Sequence, residues 1–239
     1  MEWLRLRKQN HSATMYCFSP PVMIATFCIE IGLAIYTMWR YRQSLVTRLI
    51  VLLFVFLAMF QLAEFMVCRG ATGNTLIWSQ IGYVAITLLP PLGIHLVYAI
   101  AGVKKRPLLI PAYIAAAGFM AFFAFVGNAI DGHACLGNYV IFQVAPGSGR
   151  LYGAYYYGLL LVTLGLGYYF RNQTKDRHQR RAFTGVMVGY LAFIIPTATA
   201  NQLSPETIQA IPSVMCGFAI LLALILAFVV LPVVAKERT

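Results

Sequence analysis

Long apolar stretches recur along this chain and leave few ways to fold it. They are Pro21–Trp39, Leu49–Val67, Leu76–Ala101, Leu108–Phe125, Leu151–Phe170, Ala182–Leu203 and Ile211–Ala235. A bilayer core about 30 Å thick is crossed by roughly 20 helical residues, so each stretch is expected to be long enough to span it. In lipid only helices and closed barrels satisfy their own backbone hydrogen bonds, and these stretches lack the period-two alternation of a barrel. The expected fold is therefore all-α: a polytopic membrane protein, one seven-transmembrane-helix bundle over residues 1–239. Only 10% of the residues are charged, against about a quarter in soluble domains, which argues against a water-soluble enzyme. A net charge of +11 does not require nucleic acid as a partner, because cations flanking apolar runs are a topological signal.

The distribution of those cations sets the expected orientation. Thirteen fall on one face: Arg40, Arg42, Arg48, Lys104, Lys105, Arg106, Arg171, Lys175, Arg177, Arg180, Arg181, Lys236 and Arg238. Five fall on the other: Arg5, Arg7, Lys8, Arg69 and Arg150. The richer face is expected in the cytoplasm, with the N-terminus outside, the C-terminus inside, and the chain in the inner or plasma membrane. Arg5, Arg7 and Lys8 sit awkwardly outside, unless residues 1–17 lie along the headgroups as an amphipathic segment with Trp3 and Leu4. No cleavable signal is evident, and the first span is expected to be retained. The basic loop 172–181 is read as topology plus contact with anionic lipid, a protein-docking role being the rival. The long outward loop Gly127–Arg150 is long enough to form a lid.

Ionisable groups inside spans are costly in lipid and are candidates for function. Glu30 and Glu64 are two such acids, and Gln61, Glu64 and Cys68 share one helical face. A helix-to-helix hydrogen bond, a ligand or ion site, and a proton relay all remain open for Glu64. Gln80 and Tyr83 in the third span, Tyr155 and Tyr156 in the fifth and Asn201 in the sixth lie at comparable depth. An acid among tyrosines suits an ammonium-bearing ligand, although tyrosines also form ordinary interfacial belts. The expected ligand pocket is bounded by Gln61, Glu64, Gln80, Tyr83, Tyr155, Tyr156 and Asn201 under the 127–150 loop, with one of the two adjacent tyrosines turned away. Pro90, Pro91 and Pro196 are expected to bend their helices, and His95 is read as a hydrogen-bonding partner. Gly153, Gly158, Gly165 and Gly167, with Gly185 and Gly189, are expected to let helices approach. Cys68 and Cys135 form a candidate disulfide; free thiols, or a weak metal set with His133, are the alternatives.

Absences narrow the reading further. The seventh span has no Lys for a retinal Schiff base, and no H-E-x-x-H, G-x-S-x-G or C-x-x-C-H occurs. Catalysis, a cofactor and a bound metal are not expected. Gln61-Leu-Ala-Glu64, Trp78-Ser-Gln-Ile-Gly-Tyr83 and Leu88-Leu-Pro-Pro-Leu92 resemble the N-terminal seven-transmembrane sensor region of prokaryotic histidine kinases. There an acid-ending second span leads into W-x-x-[ILV]-x-Y and an "LLPP" third span. Tyr152-Gly and Pro196-x-x-x-x-Asn201 are similar too, whereas Asp131–Asn138 departs from the pattern. The resemblance implies a membrane sensor of a small molecule. Four residues follow the seventh stretch, so output is expected through a separate signalling protein. A small transporter or proton/ion pathway using Glu30 and Glu64, and a non-catalytic subunit of a membrane complex, are the rival functions.

Overall fold

The computed structural model describes residues 20–69, 75–126, 129–136, 139–144, 147–203 and 211–235. Its helices in chain order are α1 (Pro20–Arg40), α2 (Leu45–Arg69), α3 (Thr75–Thr87), α4 (Leu89–Ala101), α5 (Leu109–Phe125), α6 (Ser148–Gln173), α7 (Arg177–Leu203), α8 (Ile211–Ile225) and α9 (Leu231–Val234). A π-helical turn, Leu226–Val230, joins α8 to α9. Among the described residues five segments are long and apolar enough to cross a membrane: Pro21–Arg40, Leu45–Cys68, Thr75–Ala101, Arg177–Thr199 and Ser213–Val234. α5 is apolar but shorter, and α6 is long but diluted by tyrosine and glycine.

The helices pack as a ring around α2. α1, α3, α4 and α8 all lie against α2, and α8 closes the ring by packing on α1 and α7. The core is apolar: Ile50, Leu53, Phe54 and Phe60 of α2 are buried with Leu96 of α4, Phe123 of α5 and Leu226. Gly185 and Gly189 of α7 form a notch for α8 and its π turn. A Cβ at Gly189 would lie 2.6 Å from Leu222, and one at Gly185 would lie 2.9 Å from Val230. Close approach at α6 is confined to Gly167, against Met187; Gly153, Gly158 and Gly165 face open space among the described residues.

The 127–150 stretch is not purely a loop. β1 (Ile130–Leu136) and β2 (Tyr139–Val144) pair antiparallel, with Leu136 opposite Tyr139. β1 packs on α2 and α3, and β2 on α8, so the hairpin spans the bundle end where α2 finishes and α8 begins. The opposite end carries the cationic connections after α1, α4 and α6. There Arg106 donates to His95 Nε2 at 3.0 Å, while His95 Nδ1 meets the Tyr113 hydroxyl at 3.2 Å. Arg can only donate, so Nε2 accepts and the imidazole ties α4 to the connection after it.

The break between α3 and α4 has a local cause. Pro91 has no N–H, so the Thr87 carbonyl loses its helical partner. Tyr155 of α6 supplies the missing donor, its hydroxyl giving a 2.7 Å bond to Thr87 O. Tyr152 lies 3.1 Å from the Thr87 hydroxyl and seals the same site. An unpaired buried carbonyl costs about 1–3 kcal/mol, so Tyr155→Phe is expected to lower stability by that order. Unfolding in detergent, compared with Tyr168→Phe at an exposed tyrosine, checks this; equal loss in both variants would refute the role of the bond.

Candidate functional site

A polar cluster is buried where α1, α2, α3 and α8 meet beneath the hairpin. α2 turns Gln61 and Glu64 inward from one face, three residues apart; both are buried. Gly82 lets α3 close on α2, since a Cβ there would lie 3.2 Å from Ala63. The next residue along each helix, Tyr83 and Glu64, is thereby brought within electrostatic reach. α8 contributes Ser213, whose hydroxyl hydrogen-bonds the Glu64 carboxyl, and Cys216 one turn on. From α1, fully buried Glu30 comes close enough to Glu64 for their charges to interact.

Four atoms in this cluster are buried without a hydrogen-bond partner among the described residues: both carboxyl oxygens of Glu30, Oε1 of Glu64 and Nε2 of Gln61. Oγ1 of Thr37, two turns along α1 from Glu30 toward the cationic end, is a fifth. Native interiors pair nearly all such groups, which makes the concentration of exceptions informative. Three of the four cluster atoms are carboxyl oxygens, and no basic side chain pairs with either acid among the described residues. Among those residues the site is rich in acceptors and lacks a cation.

Aromatic rings wall the cluster on the α3, α5 and α6 side. Tyr83 packs on Phe123 at 4.5 Å and on Tyr152 at 5.7 Å, and Tyr152 lies 5.9 Å from Tyr156. Tyr156, Tyr190 and Cys216 line a small, largely apolar cavity of about 20 Å³.

Of the seven pocket residues expected from sequence, Gln61, Glu64 and Tyr83 come together. Tyr156 borders the same region through Cys216. Tyr155 is committed to the Thr87 carbonyl, and Gln80 donates to Ala124 O at 3.3 Å, capping the end of α5. The Asn201 side chain lies outside the described residues. Glu30, Ser213, Cys216 and Tyr152 join the site although they are outside the expected pocket set. Tyr152 had a usable signal, since it shares a face with both Tyr155 and Tyr156. Ser213 had none beyond its position near the start of an apolar run.

Cys68 is disulfide-bonded, whereas Cys28 and Cys216 are free. Its partner is therefore Cys17 or Cys135 of the chain's five cysteines, and both of those side chains lie outside the described ones.

A family model described as the N-terminal 7TM region of histidine kinase matches residues 22–231. The chain belongs to this family. Comparison with curated proteins and with solved structures gives no match. Membership in the 7TM region of histidine kinases makes the chain a membrane sensor and accounts for its apolar helices. The polar cluster draws on the first, second, third and last helices of the matched region.

Proposed function

We propose that this 7TM sensor region is a seven-span, single-unit receptor that binds a small ammonium-bearing molecule at the Glu30–Gln61–Glu64–Ser213 cluster. The observation that carries the reading is the set of buried carboxyl oxygens on Glu30 and Glu64 that have neither a hydrogen-bond partner nor a cation among the described residues. A ligand ammonium would supply both the missing donors and the missing positive charge, and Tyr83, Tyr152 and Tyr156 would face it with aromatic surface. Ser213 and Cys216 stand on α8, which runs on through the π turn to the cationic end. Occupancy would thereby act on the last long helix and carry the signal toward the cationic end. The test is a thermal-shift screen of primary and quaternary alkylammonium compounds on the detergent-solubilised chain. Stabilisation by a subset, absent with isosteric neutral alcohols, supports the reading; a flat response to every cation defeats it.

Two observations support an orientation with the hairpin end outside. The cations concentrate at the other end, as the positive-inside rule requires. Cys68, near the hairpin end of α2, is disulfide-bonded, which suits an oxidising compartment. β1 carries Cys135 and packs on α2, so Cys135 is the favoured partner. Non-reducing peptide mapping is expected to recover a Cys68–Cys135 cross-linked peptide. Recovery of Cys68–Cys17 instead would free the hairpin from this tether.

A second reading has a specific basis. Unpartnered atoms of Glu64, Gln61, Glu30 and Thr37 lie on facing α1 and α2, as steps of a proton or ion pathway would. Proton flux in liposomes that Glu64→Gln abolishes would favour that pathway over the receptor.

A further inference from the structure

At the cationic end a groove of about 430 Å³ runs between α6, α7 and the π turn. Arg171, Arg177, Arg180 and Arg181 form its rim, and Val188 and Val229 lie along its apolar side. The Arg171 Nε donates to Thr184 at 2.9 Å, which holds that guanidinium over the groove. None of the four arginines is ion-paired with an acid among the described residues; the nearby Asp176 carboxylate is taken up by the His178 N–H at the start of α7. Gly185 sets the depth, because without a Cβ it lets Ile225 and the valines of the π turn sit low against α7.

We infer that this groove is a binding site for an anionic phospholipid. The groove is amphiphilic in the order a lipid requires. Guanidinium groups at the rim match a phosphodiester through paired N–H donors, and the aliphatic side matches the upper part of an acyl chain. An inorganic phosphate would use the rim and leave the aliphatic side idle. A zwitterionic lipid would bring its own cation into a field of four arginines and so gain less from them. Charge and apolar shape together therefore select a diacyl lipid with net negative charge. The Ile225 and Val229 contacts fall at the π turn, where Leu231 N–H reaches back five residues to Leu226 O and the following Pro232 offers no N–H. Such turns are rare and concentrate at functional sites.

The test is native mass spectrometry of the full chain in detergent with added phosphatidylglycerol, phosphatidylcholine or inorganic phosphate. Wild type is expected to retain phosphatidylglycerol at least about tenfold better than phosphatidylcholine, with millimolar phosphate failing to displace it. The triple variant R177Q/R180Q/R181Q is expected to lose about tenfold in retention. R48Q/K104Q/K105Q, which removes the same charge from the first turn of α2 and the connection after α4, is expected to keep it. Val188→Trp, which fills the apolar side at unchanged charge, is expected to weaken retention as well and serves if the triple variant does not fold. Equal loss in both triple variants would mean general surface charge, and efficient competition by inorganic phosphate would mean a bare anion site; either result overturns the proposal.

Discussion

Gly93→Ala is expected to leave little folded protein in the membrane. A Cβ at Gly93 of α4 would overlap the Tyr190 hydroxyl and approach its ring carbon to 2.9 Å. Tyr190 is buried from α7 and has Phe193 5.6 Å away, so it has little room to withdraw. Overpacking a tight core costs about 1–3 kcal/mol and more where the backbone cannot yield. At Gly93 the loss falls at the upper end, because α4 is pinned nearby by the Pro91–Thr87–Tyr155 arrangement. Monodisperse yield and thermal unfolding in detergent measure it. Adding Tyr190→Phe to Gly93→Ala is expected to recover part of the loss by removing the overlapping oxygen. Gly93→Ala with unchanged stability would mean that α4 and α7 do not meet in this way.

The bundle was legible in the sequence because lipid leaves helices no alternative, and apolar runs mark where they lie. The helix ends were less legible. α6 and α7 begin at Ser148 and Arg177, a turn or so before their apolar runs, because polar residues at the headgroups continue a helix once it has nucleated. Pro90 and Pro91 announced a break, but the identity of the donor that repairs it, Tyr155, depends on which helix packs opposite. The hairpin was missed although Tyr139–Val144 is rich in strand-forming residues and Gly137-Asn138 separates the paired ends. In a chain dominated by helical runs, a short strand pair over the bundle mouth does not stand out. The site shows the same division. Glu30 and Glu64 were visible as costly residues, whereas Ser213 became part of the site only when α8 closed the ring against α1 and α2.

Glu64→Gln is expected to weaken binding of a stabilising alkylammonium ligand by about 100-fold, or about 2.7 kcal/mol, while the fold survives. Gln keeps the volume and can still hydrogen-bond Ser213, so the variant removes charge and little else. The loss should appear in the dissociation constant measured by thermal-shift titration. Glu30→Gln is expected to act in the same direction, because the two acids lie within reach of each other and both lack a basic partner among the described residues. Affinity unchanged in both variants would place the ligand elsewhere and return the cluster to a structural role.

The central claim is that the acceptor-rich cluster between α1, α2, α3 and α8 is the input site of this sensor. The most direct measurement is the position of a bound ligand nitrogen, located from a heavy-atom-labelled alkylammonium compound soaked into crystals grown in a lipidic phase. The nitrogen is expected within about 4 Å of a Glu30 or Glu64 carboxyl oxygen, with Tyr83 or Tyr152 alongside. A label found only outside the bundle, with the Glu30 and Glu64 carboxyls closed onto protein groups or water, would contradict it.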